Sequence, residues 1–368
     1  MNLPRRQFLL QGGIGVAGLG FGAGIAKYAL GQPQPPGNIS RLVTDETQNS
    51  INRGLDFLAA QGAQGNDGSF GTQQHAGNVA ITSLAGLAFL AGGHEPGRNT
   101  HGEKVKRAVE FLLSKEDPRT PGYFHNPATP MHGPMYAHGF ATLFLAEVHG
   151  MIYQPQLRDR LRAALRRAVD LLIRSQNRQG GWRYSPQPHD ADLSVTICQI
   201  MALRAARNAG FTVPKTIADR CIEYVRSCQD PNTGGFRYQP NAGPPGFART
   251  AAGLVALFSA GIYEGDDIRR GLDFLLSFKP RGGGGGLGFG LDFGMHYHYG
   301  HYYAAQAMWI AGGRHWNEWY PAIRDELLRT QQANGSWGAQ QFPCSHYTTA
   351  MSLIILQIPN GYLPILHR

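Results

Sequence analysis

Residues 165–210 read LRRAVDLLIRSQNRQGGWRYSPQPHDADLSVTICQIMALRAARNAG, and they hold one complete unit of a structure that recurs along the chain. Apolar Ala168, Val169, Leu171, Leu172 and Ile173 mark one side of a helical pattern that ends at Gln176. A polar, glycine-bearing loop then turns the chain and finishes on an aromatic residue, Trp182. After a Ser-Pro segment a second helix opens with His189-Asp190-Ala191-Asp192 and continues as a nearly unbroken run of apolar and small residues.

The first half of this unit returns as RGLDFLAAQGAQGNDGSFG from Arg53, RAVEFLLSKEDPRTPGYF from Arg107, CIEYVRSCQDPNTGGF from Cys221, RGLDFLLSFKPRGGGGGLGFG from Arg270 and DELLRTQQANGSWG from Asp325. Each copy is followed by a second, more apolar segment: VAITSLAGLAFLAGG, YAHGFATLFLAEVHG, FARTAAGLVALFSAGI, HYYAAQAMWIAGG and YTTAMSLIILQIP join the 193–210 run. A spacing of about 50–60 residues is a two-helix period. The first helix of each pair carries a charged face and belongs outside, whereas the second is apolar nearly all round and belongs inside. No hairpin can bury its own apolar face, so six of them predict an all-α fold, an α/α toroid of twelve helices. An open solenoid is the alternative, but it would end in polar capping repeats, and the last inner segment is among the most apolar. Glutamines at outer-helix ends, Gln61, Gln176, Gln229 and Gln332, are expected to satisfy orphan helix termini. Phe70, Trp182, Phe236 and Trp337 are expected to pack against the next hairpin.

Composition agrees with one repeat architecture in 368 residues: 49 glycines and 23 prolines sit beside only 16% charged residues, and glycines suit loops and helix ends. The formal charge is +9, but Arg5, Arg6 and Lys27 fall in the first 31 positions, which hold no acid, leaving +6 for the remainder. Spread along the helices, that excess reads as a solvated surface and not as a nucleic-acid footprint. Cys198, Cys221, Cys228 and Cys344 form no CxxC pair and read as free buried thiols. Residues 1–31, with Arg5-Arg6, Phe8-Leu9 and a glycine/alanine-rich apolar stretch, resemble a bacterial twin-arginine export signal. A membrane anchor is the competing reading, disfavoured by the glycine content. The expected organisation is a signal over 1–31, a linker over 32–47 and the toroid with its C-terminal tail over 48–368, in a protein exported to the periplasm or cell envelope. The tail, LQIPNGYLPILHR, is expected to pack back along an outer helix, and RGGGGGLGFG at 281–290 lacks the Lys-Ser/Thr of a P-loop.

Loops of the form Q-x-x-x-G-x-W after an R-G-x-x-F-L helix resemble the QW repeats of squalene-hopene cyclases and of the related protein prenyltransferase β-subunits, over roughly residues 51–359. The resemblance implies a toroid whose central cavity is lined by the first turns of the inner helices. Those turns concentrate titratable and aromatic residues. In the third, His189, Asp190 and Asp192 lie where the cyclases carry Asp-x-Asp-Asp-Thr; on that match Asp190 takes the first position and Asp192 that of the proton donor, although Leu193 and Ser194 replace the last two residues. Two carboxylates close together in an apolar cavity hold one proton more readily than either alone. The bland alternative is that Asp190 or Asp192 caps its helix.

Prenyltransferase β-subunits bind zinc through Asp, Cys and His. His346 matches the histidine, but Tyr299 and His301 stand where the Asp and Cys should be, so His301, Cys344 and His346 are the remaining donor set for zinc. An aromatic wall of Tyr136, Phe247, Tyr299, Tyr302, Tyr303 and Tyr347, with His138 beside it, suits an isoprenoid chain or a carbocation. Arg249 could meet a diphosphate or carboxylate. The leading expectation is therefore a terpenoid cyclase-like or prenyltransferase-like protein acting on an apolar, isoprenoid-like molecule, with peripheral membrane association. The rival is a non-catalytic envelope protein that holds a lipid or peptide in the same cavity; a zinc-dependent prenyltransferase-like enzyme and a glycan-processing α/α barrel are further alternatives.

Overall fold

In a computed structural model, residues 42–129, 133–280, 296–338 and 343–367 are described. The export-type segment and the RGGGGGLGFG loop lie outside them. The described residues belong to one unit, Asn38–Arg368, and carry six helix pairs without a named strand. The outer helices are α1 (Asp45–Ala59), α3 (Gly102–Ser114), α5 (Pro155–Ser175), α7 (Lys215–Ser227), α9 (Asp266–Leu276) and α11 (Gly313–Thr330). The inner ones are α2 (Val79–Ala91), α4 (Pro134–Val148), α6 (Leu193–Asn208), α8 (Phe247–Ala260), α10 (Tyr297–Ala311) and α12 (Ser345–Gln357). The first helix begins at Asp45, inside the segment expected to be linker, because Thr44 caps it: its Oγ1 accepts from Thr47 N at 3.2 Å.

Every residue of α2 is buried, whereas α3 buries one stripe around Val105, Ala108, Val109 and Leu112, as the two hydrophobic patterns require. Inner helices touch in the order α2, α4, α6, α8, α10, α12 and back to α2. The ring is closed, and the solenoid alternative falls away.

The seams between repeats reuse one device. Gln176 Nε2, at the end of α5, donates to the Gly180 carbonyl in its own loop (2.8 Å) and to the Ile217 carbonyl in the next outer helix (2.9 Å). Gln229 does the same with Gly234 (2.9 Å) and Asp267 (2.8 Å). In the first and last repeats the residues are Gln64 and Gln331, not the expected Gln61 and Gln332. Position relative to the glycine decides this: Gln64, Gln176 and Gln331 stand four residues before it and Gln229 five, close enough for one amide to reach both carbonyls. In the second repeat Glu116 takes the place of the glutamine, accepting from Gly122 N (2.7 Å) and pairing with Arg167.

The loop aromatics are anchored just as regularly. Phe70, Trp182, Phe236 and Trp337 donate their backbone N–H to Thr82, Thr196, Thr250 and Thr349 at 2.8–3.1 Å, and both tryptophans also donate Nε1–H to a carbonyl at the preceding outer helix. Thr196→Val is expected to lower stability by about 1–3 kcal/mol, because the buried Trp182 amide loses its acceptor. Thr142→Val, at a buried hydroxyl with no hydrogen bond, is expected to be neutral or stabilising; urea midpoints of the two variants make the comparison.

The C-terminal tail departs from expectation. After α12 it turns through Ile358–Asn360 and Pro364–Leu366, and the second turn packs against α6 and α10, at the inner ring and not along an outer helix. Leu363, Ile365 and Leu366 are buried there. The buried Arg204 of α6 holds this end, donating to the Phe258 carbonyl (3.1 Å) and to the His367 carbonyl. The charged flanks of the outer helices offer no apolar surface to such a tail, whereas the ends of the inner helices do.

Candidate functional site

Two residues before the anchoring position, five of the six inner helices carry Tyr136, Ser194, Ala248, Tyr299 and Tyr347, while α2 has the buried Ala80 there. All five are half-buried, whereas Met135, Leu193, His298 and His346, one residue earlier, are buried. This position therefore faces the open mouth of the ring. Tyr299 of α10 reaches past α8 and donates its hydroxyl to the Ser194 carbonyl of α6, at 3.0 Å. One turn deeper, Tyr303 and Cys198 make the same crossing, with Oη and Sγ 3.3 Å apart, while Tyr302 meets Phe140 of α4 with ring centres 6.3 Å apart. Tyr302 and Tyr303 are fully packed and floor the mouth. Burial raises the Tyr136, Tyr299 and Tyr347 hydroxyls above the ordinary phenol range, so they remain neutral donors.

Asp192 is the carboxylate at this mouth. It precedes α6, accepting the Val195 N–H on Oδ1 at 2.9 Å, so the capping role is real. Its side chain is wholly buried, with Oδ2 in an ion pair with Arg183 at 3.4 Å. Burial raises its pKa to about 6, against the opposing pull of the Val195 amide, Arg183 and Tyr238. The negative form of Asp192 is felt at Tyr136, Tyr238 and Tyr299, which places the acid among the tyrosines.

Arg183 stands between Asp192 and Asp190, with Nε 3.3 Å from Asp190 and Nη1 3.4 Å from Asp192. Asp190 is 59% exposed, and His189 is exposed and turned into the loop, its N–H on the Gln187 carbonyl.

Three contributors lie outside the helix openings where chemistry was sought. The Arg183 guanidinium lies 4.5 Å from the Tyr184 ring centre and 5.5 Å from that of Tyr238. The Tyr184 and Tyr238 hydroxyls are hydrogen-bonded to each other, and the Tyr184 ring neighbours Tyr136. A signal existed: Trp182-Arg183-Tyr184 and Phe236-Arg237-Tyr238 repeat one pattern, an aromatic residue followed by Arg-Tyr, in consecutive repeats.

The other candidates serve the scaffold. His138 accepts the Phe124 N–H on Nδ1 (3.3 Å), standing where four other repeats place threonine, and burial lowers its pKa to about 3. His301 occupies the same register on α10, packed between Phe247 (4.9 Å), Tyr297 (4.4 Å) and Trp319 (5.7 Å). Phe247 is buried one residue before the mouth-facing Ala248 and also packs on Phe278 and Trp319, and Arg249, half-buried, donates to the Pro244 carbonyl (3.0 Å). The zinc donors are not brought together. His346 accepts from Gly71 N at 3.1 Å and packs against Phe57 and Phe70, Cys344 precedes α12, and among the described residues no three metal-donor side chains gather.

No family model matches the sequence, nor does any curated protein. Solved structures do. The apo type II terpene cyclase MstE from Scytonema is similar over 87% of this chain and 99% of its own, with TM-score 0.56 at 18% identity. An inactive variant of the α-1,6-mannanase GH76A of Salegentibacter sp. HEL1_6, in complex with α-1,6-mannotriose, is similar over 88% of this chain and 100% of its own, with TM-score 0.58 at 9% identity. At such identities the likeness is one of fold: the chain is an α/α toroid of the kind seen in a type II terpene cyclase and in a glycoside hydrolase.

Proposed function

We propose that this protein is a terpene cyclase-like enzyme that protonates an isoprenoid polyene, with Asp192 as the acid. The observation that carries the reading is the Asp192 carboxyl itself, wholly buried, raised to about 6 by that burial and with Oδ2 3.4 Å from Arg183, beside a mouth of neutral tyrosines. The type II terpene cyclase of similar fold has been captured with geranylgeranyl dihydroxybenzoate as its substrate, which agrees with a substrate that has an apolar chain. In the proposed step the Asp192 O–H bond breaks as its proton forms a C–H bond at a terminal alkene carbon, using the alkene electron pair. The cation left on the adjacent carbon is attacked by the next double bond, tyrosine faces stabilise the positive charge, and a final C–H proton passes to water. The product is an isomer of the substrate.

Glycoside hydrolysis fits less well, since it calls for two working carboxylates and Asp190 is exposed and tied to Arg183. A second reading, a non-catalytic envelope protein that binds an apolar molecule, is favoured by the packed floor of Phe140, Tyr302 and Tyr303. Export by the twin-arginine-type segment is part of either reading. The test is incubation with squalene and with geranylgeraniol. An isomeric, cyclised product is expected, formed at a rate that falls as pH rises through about 6. A rate that is flat from acid to alkaline pH would count against Asp192, and a tightly copurified lipid without turnover would favour the binder.

A further inference from the structure

The excess positive charge is not evenly spread. Helix α5 carries six arginines, Arg158, Arg160, Arg162, Arg166, Arg167 and Arg174, against Asp159 and Asp170. Its first turn has no acid, whereas α1 and α9 each open with two. Arg158, Arg162 and Arg166 follow at four-residue intervals and are all exposed, so they form a ladder on one flank of the helix. Arg158 pairs only with its neighbour Asp159, at 3.3 Å. Among the described residues Arg162 and Arg166 have no carboxylate partner within ion-pair distance. A solvated helix face ordinarily intersperses both signs.

At the start of this ladder stands Tyr153, 59% exposed, with the Arg98 guanidinium 3.7 Å from its ring centre. Together with Lys106 and the 96–97 turn they edge a notch of about 160 Å³. Tyr362, 44% exposed, is the other exposed large apolar side chain among the described residues. Its ring lies against Gly93, and Asn99 ties that turn together with a bond to the Gly93 carbonyl (2.8 Å). Both tyrosines follow the C-terminal ends of inner helices, opposite the mouth that holds Asp192.

We propose that the end carrying Tyr153, Tyr362 and Arg98, with the Arg158, Arg162, Arg166 ladder rising from it along the flank of α5, docks on the surface of an anionic phospholipid bilayer. Exposed arginines beside exposed tyrosines match what an anionic interface offers: phosphates for guanidinium groups and a headgroup layer for rings with one apolar and one polar end. A nucleic acid would engage the arginines but give the tyrosines no comparable layer. No described helix is long and apolar enough to cross a membrane, so the contact is one of surface. It lies away from the candidate site and tethers the protein without depending on the proposed chemistry.

The test is co-sedimentation of the full chain with vesicles of phosphatidylcholine alone or with about one third phosphatidylglycerol, at roughly 0.1 M salt, where charges a Debye length apart still interact. The anionic vesicles are expected to bind more tightly. Arg158→Gln, Arg162→Gln and Arg166→Gln together are expected to weaken that binding on the order of 100-fold. The same net loss at Arg226, Arg269 and Arg314, exposed on α7, α9 and α11, is expected to weaken it less than about threefold. Because both triples keep the N-terminal segment, their difference isolates the face. Equal effects of the two triples, no effect of the first in a protein of unchanged melting temperature, or tighter retention on an RNA homopolymer than on anionic vesicles at the same salt would overturn the proposal.

Discussion

Gly335→Ala is expected to destabilise the protein by about 3–5 kcal/mol, several times the effect of Gly62→Ala. Both glycines have positive φ, +87° at Gly335 and +80° at Gly62, and an alanine in that conformation costs about 1–2 kcal/mol wherever it stands. The difference lies in what surrounds them. A Cβ at Gly62 would meet nothing within 4 Å, whereas one at Gly335 would run into the Arg53 carbonyl of α1. This is the seam where the last repeat meets the first. Gln331 Nε2 donates to both the Ser50 and the Gly335 carbonyl, at 2.9 Å each, and its Oε1 accepts from Ser50 Oγ at 2.7 Å and from Arg53. Moving the loop to admit one methyl group pulls this set apart and opens the ring. Denaturant midpoints of the two variants decide the matter, and equal shifts would mean that the seam contributes little.

Asp192→Asn is expected to remove turnover by at least about 10³-fold, beyond the usual share of a general acid because protonation starts the reaction, while leaving the helix capped, since asparagine caps as well as aspartate. It also carries a stability signature with a definite sign. The folded-state pKa of Asp192 is raised, from 3.8 to about 6. The native state therefore holds the proton more tightly than the unfolded chain, and the stability this contributes is complete below about pH 4 and lost as pH rises through about 6. Asparagine has no such titration. Between pH 4 and pH 8 the stability of the variant relative to the parent is expected to rise by up to about 3 kcal/mol. A difference that does not change with pH would show that Asp192 is an ordinary surface-like carboxylate.

The fold was legible because the pattern repeats: six polar-faced and six apolar helices alternate, and no single hairpin can bury its own stripe. The aromatic loop ends were legible too, down to the tryptophans of the third and sixth repeats. The glutamine register was read wrongly in two repeats, since distance from the helix end looked decisive when the amide has to stand four or five residues before the loop glycine. In the site, Asp192 stood out as an acid opening an apolar helix. Arg183 and Tyr238 did not, because they arrive from loops, and only the repeated Arg-Tyr pair after the aromatic could have pointed to them. His138 and His301 drew attention as titratable groups at helix openings, yet they share a register with Thr82, Thr196, Thr250 and Thr349, whose work is to hold a backbone amide. The zinc donors were close in sequence pattern but not in space, since Gly71 takes the Nδ1 of His346.

The most direct test of the central claim is turnover of squalene or geranylgeraniol in heavy water by the parent protein and by Asp192→Asn. The account predicts a cyclised isomer carrying one non-exchangeable deuterium from the parent and no product from the variant. A product without deuterium, or equal product from both proteins, would contradict it.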